Sequence, residues 1–158
     1  MTNSAYRRGV GVMLLNADRK VWVGRRIDRT DEAWQMPQGG IDEGEEPWAT
    51  ARRELQEETG IPPHLIERLA DHPERLRYDL PEELQGKLWG GRWQGQEQDW
   101  FLCRFLGHDS DVDIATEHPE FDAWKWVEPS ELPDLIVPFK RDLYRRLIEQ
   151  FREQLARS

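Results

Sequence analysis

The chain has 158 residues, with 22 Lys plus Arg against 31 Asp plus Glu, a formal net charge of −9 and one Cys. That length suits one domain with a substantial core, and the acidic balance argues against an electrostatic grip on long duplex nucleic acid, which needs many basic phosphate contacts. No stretch approaches the roughly 20 apolar residues that cross a bilayer, and residues 1–10 lack the apolar segment of a signal peptide, so a cytoplasmic protein is expected.

In chain order, residues 9–15 and 20–26 are apolar runs separated by Asn16, Ala17, Asp18 and Arg19, a pattern that predicts a β-hairpin. Gln35 and Met36 read as a further short strand. It leads into Pro37, Gln38, Gly39 and Gly40, a tight loop whose backbone can come close to a metal or a phosphate. Residues 46–59 predict a helix: Pro47 suits a first turn, and Gly60 supplies the positive φ that commonly ends one. Strands are expected at 75–79, 98–107 and 121–127. Cys103, inside the apolar run 100–106, reads as a buried structural thiol. From 139 to 156, Phe139, Leu143, Leu147, Phe151 and Leu155 recur every four residues, with Tyr144 and Ile148 widening the stripe. This is the pattern of a terminal amphipathic helix packed on a sheet. One mixed sheet between helices follows, with no repeat or linker to divide it.

On the predicted helix 46–59, Glu54, Glu57 and Glu58 stand at i, i+3 and i+4 and share one face, beside an apolar stripe of Trp48, Ala51 and Leu55. Spacing alone allows two readings. The carboxylates form an ordinary solvated acidic face, or their repulsion is relieved by a hard divalent cation such as Mg²⁺. Arg53, four residues before Glu57, is placed to hold that carboxylate. A second acidic run, Asp109, Asp111 and Asp113 with Glu120, has the spacing of a calcium loop, but Ile114 occupies the position of the required turn glycine. That run is read as a polar loop. The four His residues show no zinc-ligand spacing, and neither a Ser-His-Asp arrangement nor a Walker-type loop is identifiable.

Residues 39–61 read GGIDEGEEPWATARRELQEETGI, or G-x5-E-x7-R-E-U-x-E-E-x-G-U with U a bulky aliphatic. Gly39, Glu45, Arg53, Glu54, Leu55, Glu57, Glu58, Gly60 and Ile61 fill every fixed position. This resembles the complete signature of the Nudix hydrolases, which cut a phosphoanhydride bond in a nucleoside diphosphate linked to another group. The resemblance implies one Nudix domain over 1–158 with an α/β fold, an α/β/α sandwich around a mixed β-sheet. It also implies Mg²⁺, or Mn²⁺ or another divalent cation, with two or more ions present when substrate is bound. Their ligands would be Glu54, Glu57 and Glu58 and the backbone carbonyl of Gly40, with Arg53 beside them.

Outside that segment, Tyr6 with Arg7, Arg25 with Arg26, the run 34–40, His118 to Phe121 and the run 139–146 are similar to the bacterial RNA pyrophosphohydrolases. These stand beside the asymmetric dinucleoside polyphosphate hydrolases. Residues 88–95, LWGGRWQG, are closer to the plant-type diadenosine tetraphosphate hydrolases. By position, the resemblance makes Glu120 a metal ligand or base and Arg7 a phosphate contact. Arg26 and Phe139 would flank a nucleobase, Lys140 would reach a phosphate, and Tyr78 would be a stacking aromatic. From the residues alone, Phe139 reads equally as the first core residue of the last helix, and Arg25 and Arg26 as an exposed strand end. The implied substrates are 5′-triphosphorylated RNA or dinucleoside polyphosphates. Two other readings are a pyrophosphatase that clears damaged nucleoside triphosphates and a non-catalytic nucleotide sensor, although a sensor has no need of three clustered carboxylates.

Overall fold

The computed structural model describes residues 5–27 and 33–156; residues 1–4, 28–32 and 157–158 of the single-domain reading lie outside the described residues. Strands β1 (Tyr6–Leu15) and β2 (Val21–Arg26) are joined by a turn in which the Asn16 side chain accepts hydrogen bonds from the backbone of Asp18 and Lys20. The expected hairpin exists only at its closed end, where Leu15 faces Val21. Beyond that point the strands part, and the chain that follows fills the wedge. β3 (Trp34–Gln35) pairs with β2, and β4 (Gln38–Gly40) pairs antiparallel with β1. Residues 38–40, expected as a loop, are therefore a short strand, and the Pro37 carbonyl accepts a hydrogen bond from Val12.

The other edge of β1 carries β7 (Gly95–Phe105) in parallel along its whole length. β5 (Ile66–Asp71) and β6 (Leu76–Asp79) share the far edge of β7, both antiparallel, and β8 (Phe121–Val127) lies along β2. The result is one mixed sheet of eight strands. β5 escapes sequence reading because it is a surface strand: Ile66 is its only buried residue, so IERLAD shows no alternation.

Because successive strand residues face opposite sides, the strands supply two cores. Val10, Val12, Leu14, Phe101, Cys103 and Phe105 pack with Ala51 and Leu55 of helix α1 (Pro47–Thr59). Met13, Leu15, Trp100 and Leu102 pack on the other side with Leu143, Tyr144 and Leu147 of helix α4 (Arg141–Gln150). This is the α/β/α sandwich expected. Two one-turn helices, α2 (Glu82–Gln85) and α3 (Leu132–Leu135), complete the connections. The terminal helix is shorter than its periodicity suggests. Phe139 and Lys140 sit in a 3₁₀ turn begun by Pro138, and the helical run breaks at Phe151 before α5 (Arg152–Ala156). The apolar stripe survives the break because Phe151 still bonds back to Leu147, and Leu155 to Phe151.

Candidate active site

Helix α1 is capped at both ends by local chemistry. The Glu46 carboxylate accepts from the backbone of Ala49 at 2.8 Å, Pro47 opens the first turn, and Gly60 closes the helix at φ 75°. The helix buries Ala51, Leu55 and Glu58, half-buries Glu54 and leaves Glu57 exposed.

Arg53 organises the exposed side of this face. Its Nε and Nη2 grip the two oxygens of Glu45 at 3.1 and 2.9 Å, while Nη1 donates to Glu54 at 3.2 Å and to both oxygens of Glu57 at 3.1 Å. The paired hydrogen bond from Arg53 holds the Glu45 carboxyl below the usual carboxylate range. The inner carboxylates are strained electrostatically. Burial pushes Glu54 up to about 7, with the charges of Glu57 and Glu120 adding to the rise and that of Arg53 opposing it. Glu58 is 2% exposed and neither of its oxygens meets a hydrogen-bond partner. Burial, then Glu120, then Glu54, drive its carboxyl well above the ordinary range. The backbone of Gln38, close to the carboxyl but outside hydrogen-bonding geometry, and the charge of Arg26 only temper that shift.

Glu120 precedes β8, and its own carboxylate lies 3.6 Å from Arg26 at the end of β2. Its backbone carbonyl accepts from Ile27, which locks the two strand ends together. Through β2 and β8 the fold carries Glu120 to within electrostatic reach of Glu54 and Glu58, which are distant from it in sequence. Among the described residues no three His, Cys, Asp or Glu side chains converge as they stand on a point that could hold a metal ion. Glu57 turns to Arg53 and Glu120 to Arg26, the arrangement expected of like charges that each find a cation instead of one another.

The donor set nevertheless fits a hard divalent cation. A buried carboxylate with two unpartnered oxygens, a second carboxylate raised by burial and a third within range are all oxygen donors whose repulsion such an ion would remove. β4 crosses this face closely. A Cβ on Gly39 would overlap the Glu54 carboxyl group, and one on Gly40 would overlap the Arg7 guanidinium. Neither glycine has positive φ, so their role is close approach rather than a turn.

The residues expected on the substrate side gather around Tyr78. The charges of Arg7 and Arg26 reach its hydroxyl, the Phe139 ring lies 5.8 Å away, and Nζ of Lys140 stands 4.9 Å from the Tyr78 ring centre. Tyr78 itself is 6% exposed, and burial pushes its hydroxyl up to about 12. Covered by Phe139 and Lys140, it is core, which corrects its expected place as a base-stacking surface. Lys140 is also buried, at 7% exposed. Phe139 is half-buried, with one part open and the other packed against the core. Arg25 pairs with Asp122 at 2.9 Å on the outer side of its strand.

Sequence reading missed a buried polar ladder beneath these groups. The Tyr78 hydroxyl donates to Gln96 at 3.2 Å, Nε2 of Gln98 donates to Gln38 at 3.1 Å, and the Trp100 indole donates to Gln98 at 2.9 Å. Gln96 and Gln98 are 1% and 0% exposed. The signal was available: in β7 they share the inward face with Trp100 and Leu102, where a polar residue requires a partner. Cys103 is buried as expected, and burial pushes its thiol up to about 12, which keeps it protonated and unreactive. No helix among the described residues is long and apolar enough to cross a membrane.

Residues 5–147 match the family model described as the NUDIX domain. The chain is 59% identical over 149 residues to a protein of Erythrobacter litoralis named RNA pyrophosphohydrolase, covering 93% of this chain and 91% of that one. It is 59% identical over 146 residues to a protein of the same name from Sphingopyxis alaskensis, covering 92% of each. Among solved structures, the dihydroneopterin triphosphate pyrophosphohydrolase of E. coli superposes with a TM-score of 0.66 at 18% identity, over 91% of this chain and 97% of the other. That likeness is one of fold.

Proposed function

The chain belongs to the NUDIX family and is a Nudix hydrolase, and from that premise we propose that it converts the 5′-triphosphate end of RNA to a 5′-monophosphate, with dinucleoside polyphosphates as a second substrate class. The observation that carries the reading is the buried, unpartnered carboxylate of Glu58 beside Glu54 and Glu120, at the point where Arg7 meets the end of β4. The choice of RNA rests on the names of the relatives at 59% identity. Water adds to one phosphorus of the anhydride, the P–O bond to the bridging oxygen breaks, and pyrophosphate leaves RNA with a monophosphate end. On diadenosine tetraphosphate the same cleavage releases ATP and AMP.

Phosphoryl transfer asks a protein mainly for positioning and charge neutralisation. Glu54, Glu57, Glu58 and Glu120, with the Gly40 carbonyl, would hold divalent cations, Mg²⁺ by the hardness of the donors. When bound, these would neutralise the phosphate oxygens and polarise the scissile anhydride. Arg53 keeps Glu45, Glu54 and Glu57 from scattering. Arg7 supplies positive charge for the phosphate chain, with the buried charge of Lys140 behind it. Glu120, partly exposed and held by Arg26 rather than buried like Glu58, is suited to accept the proton of the attacking water. Arg26 orients that carboxylate, and Arg26 and Phe139, which both lie near Tyr78, would flank a nucleobase. RNA as substrate fits a cytoplasmic setting.

The test is a panel of triphosphorylated RNA, diadenosine tetraphosphate and nucleoside triphosphates, with products resolved by mass. Monophosphorylated RNA and pyrophosphate are expected, abolished by a chelator and restored by Mg²⁺. Faster turnover of free nucleoside triphosphates than of RNA would replace this reading with a pool-clearing pyrophosphatase. Absence of turnover on all of them would leave a nucleotide sensor.

Phe139→Ala tests the base slot. Loss of a stacking surface is expected to lower kcat/KM on RNA by about 1–3 kcal/mol, the range for aromatic–base stacking, with a smaller loss on bare tripolyphosphate, which has no base. Equal losses on both, together with a large fall in melting temperature, would make Phe139 a core residue only.

A further inference from the structure

A cleft of about 740 Å³, within the range of small-molecule sites, lies between the start of β1, the loop 41–45 and residues 92–93. It takes no lining from Tyr78, Phe139 or Lys140. Arg7 belongs to both regions, since it lines this cleft while its charge reaches the Tyr78 hydroxyl. Arg7 thus borders both the Tyr78–Phe139 region and this cleft. We propose that the cleft receives the second nucleoside of a dinucleoside polyphosphate, an inference that rests on the hydrolase reading above and extends it to the far end of the substrate.

The lining matches that ligand group by group. Trp93 offers an indole for a base, and Arg7 and Arg92 supply positive charge for phosphates. Asp42 and Glu43 provide acceptors for ribose hydroxyls, the role carboxylates play in ribose recognition elsewhere. A bare phosphate chain has no use for the aromatic or the acids, and an RNA backbone would be repelled by them. Of the remaining acids, Glu45 is neutralised by its two hydrogen bonds to Arg53. Arg92 is exposed and stacks on Trp93 with its guanidinium carbon 4.6 Å from the ring centre, a contact a base can displace or share.

The wall that carries Trp93 is anchored. Gln94 bonds through its backbone to Ala5 and to Leu80, and its side-chain amide donates to the Tyr6 hydroxyl at 3.0 Å. Tyr6 in turn donates to Asp79 at 2.6 Å. A triphosphate RNA end has no nucleoside beyond its terminal phosphate, so it leaves this cleft empty. The cleft is thus a determinant of choice between the two substrate classes.

Trp93→Ala, with Trp93→Phe as the conservative partner, is assayed with Mg²⁺ on diadenosine tetraphosphate and on a short triphosphorylated RNA. The ratio of kcat/KM on the dinucleotide to that on RNA is expected to fall by about tenfold or more in Trp93→Ala and to recover in Trp93→Phe. If Trp93→Ala melts well below wild type, the same ratio is read in Arg92→Ala, whose exposed side chain carries little of the fold. An unchanged ratio overturns the proposal. A wild-type enzyme that cuts RNA but not the dinucleotide also overturns it and leaves the hydrolase reading standing. A wild type that cuts neither sinks that reading and this one with it.

Discussion

Glu58→Gln is expected to melt higher than wild type in the presence of a chelator, while losing at least about 100-fold in kcat with Mg²⁺ present. Both effects come from one feature. The Glu58 carboxylate is buried against Glu120 and Glu54 with no hydrogen-bond partner, so in the absence of a cation its charge works against the fold. Gln keeps the shape and removes the charge. A rise of about 2–4 °C is the response of a domain of this size to roughly 1 kcal/mol. Such a trade of stability for function is common where a site is built around an unfavourable group. The activity loss follows from the proposed role of Glu58 as a direct donor to the cation, given that changes one shell further out already cost about 10–100-fold. Calorimetry in EDTA and steady-state rates in Mg²⁺ check the pair. A variant that melts lower in chelator and keeps more than a third of wild-type kcat would contradict the role of Glu58 as a cation ligand.

Arg53→Lys should lower kcat by about 10–100-fold although it conserves charge. One guanidinium here meets Glu45 through two nitrogens and bridges Glu54 and Glu57 through the third. An ammonium is a single point of charge on a flexible stem and cannot span three carboxylates in fixed directions. Glu57, exposed and held by Arg53, should then wander, and the Mg²⁺ concentration for half-maximal rate should rise. An Arg53→Lys enzyme with kcat within about threefold of wild type and an unchanged Mg²⁺ requirement would show that charge alone suffices at this position.

Helix α1 was legible residue by residue, because Pro47, Gly60 and the spacing of Ala51 and Leu55 act over one or two turns. β8 was legible to its end residues, 121 and 127. β5 was not, since a strand that buries only Ile66 leaves no alternation to read. The loop expectation for 38–40 failed because long-range pairing with β1 makes Gln38–Gly40 a strand. The constraint on Gly39 and Gly40, the lack of space beside Glu54 and Arg7, comes from parts of the chain far from them.

The sequence by itself determined the acidic face, its arginine and its caps, since each depends on side chains a few residues apart on one helix. Only the tertiary structure decided which of those carboxylates is buried, and the reason is the sheet. β1 and β2 part after Leu15 and Val21, β4 enters the wedge against Glu54, and β8 brings Glu120 in beside Glu58. The same pairing turned Gln96 and Gln98 inward and covered Tyr78 with Lys140. Burial of a charge depends on long-range strand pairing and the packing it enforces, and neither is written in local spacing.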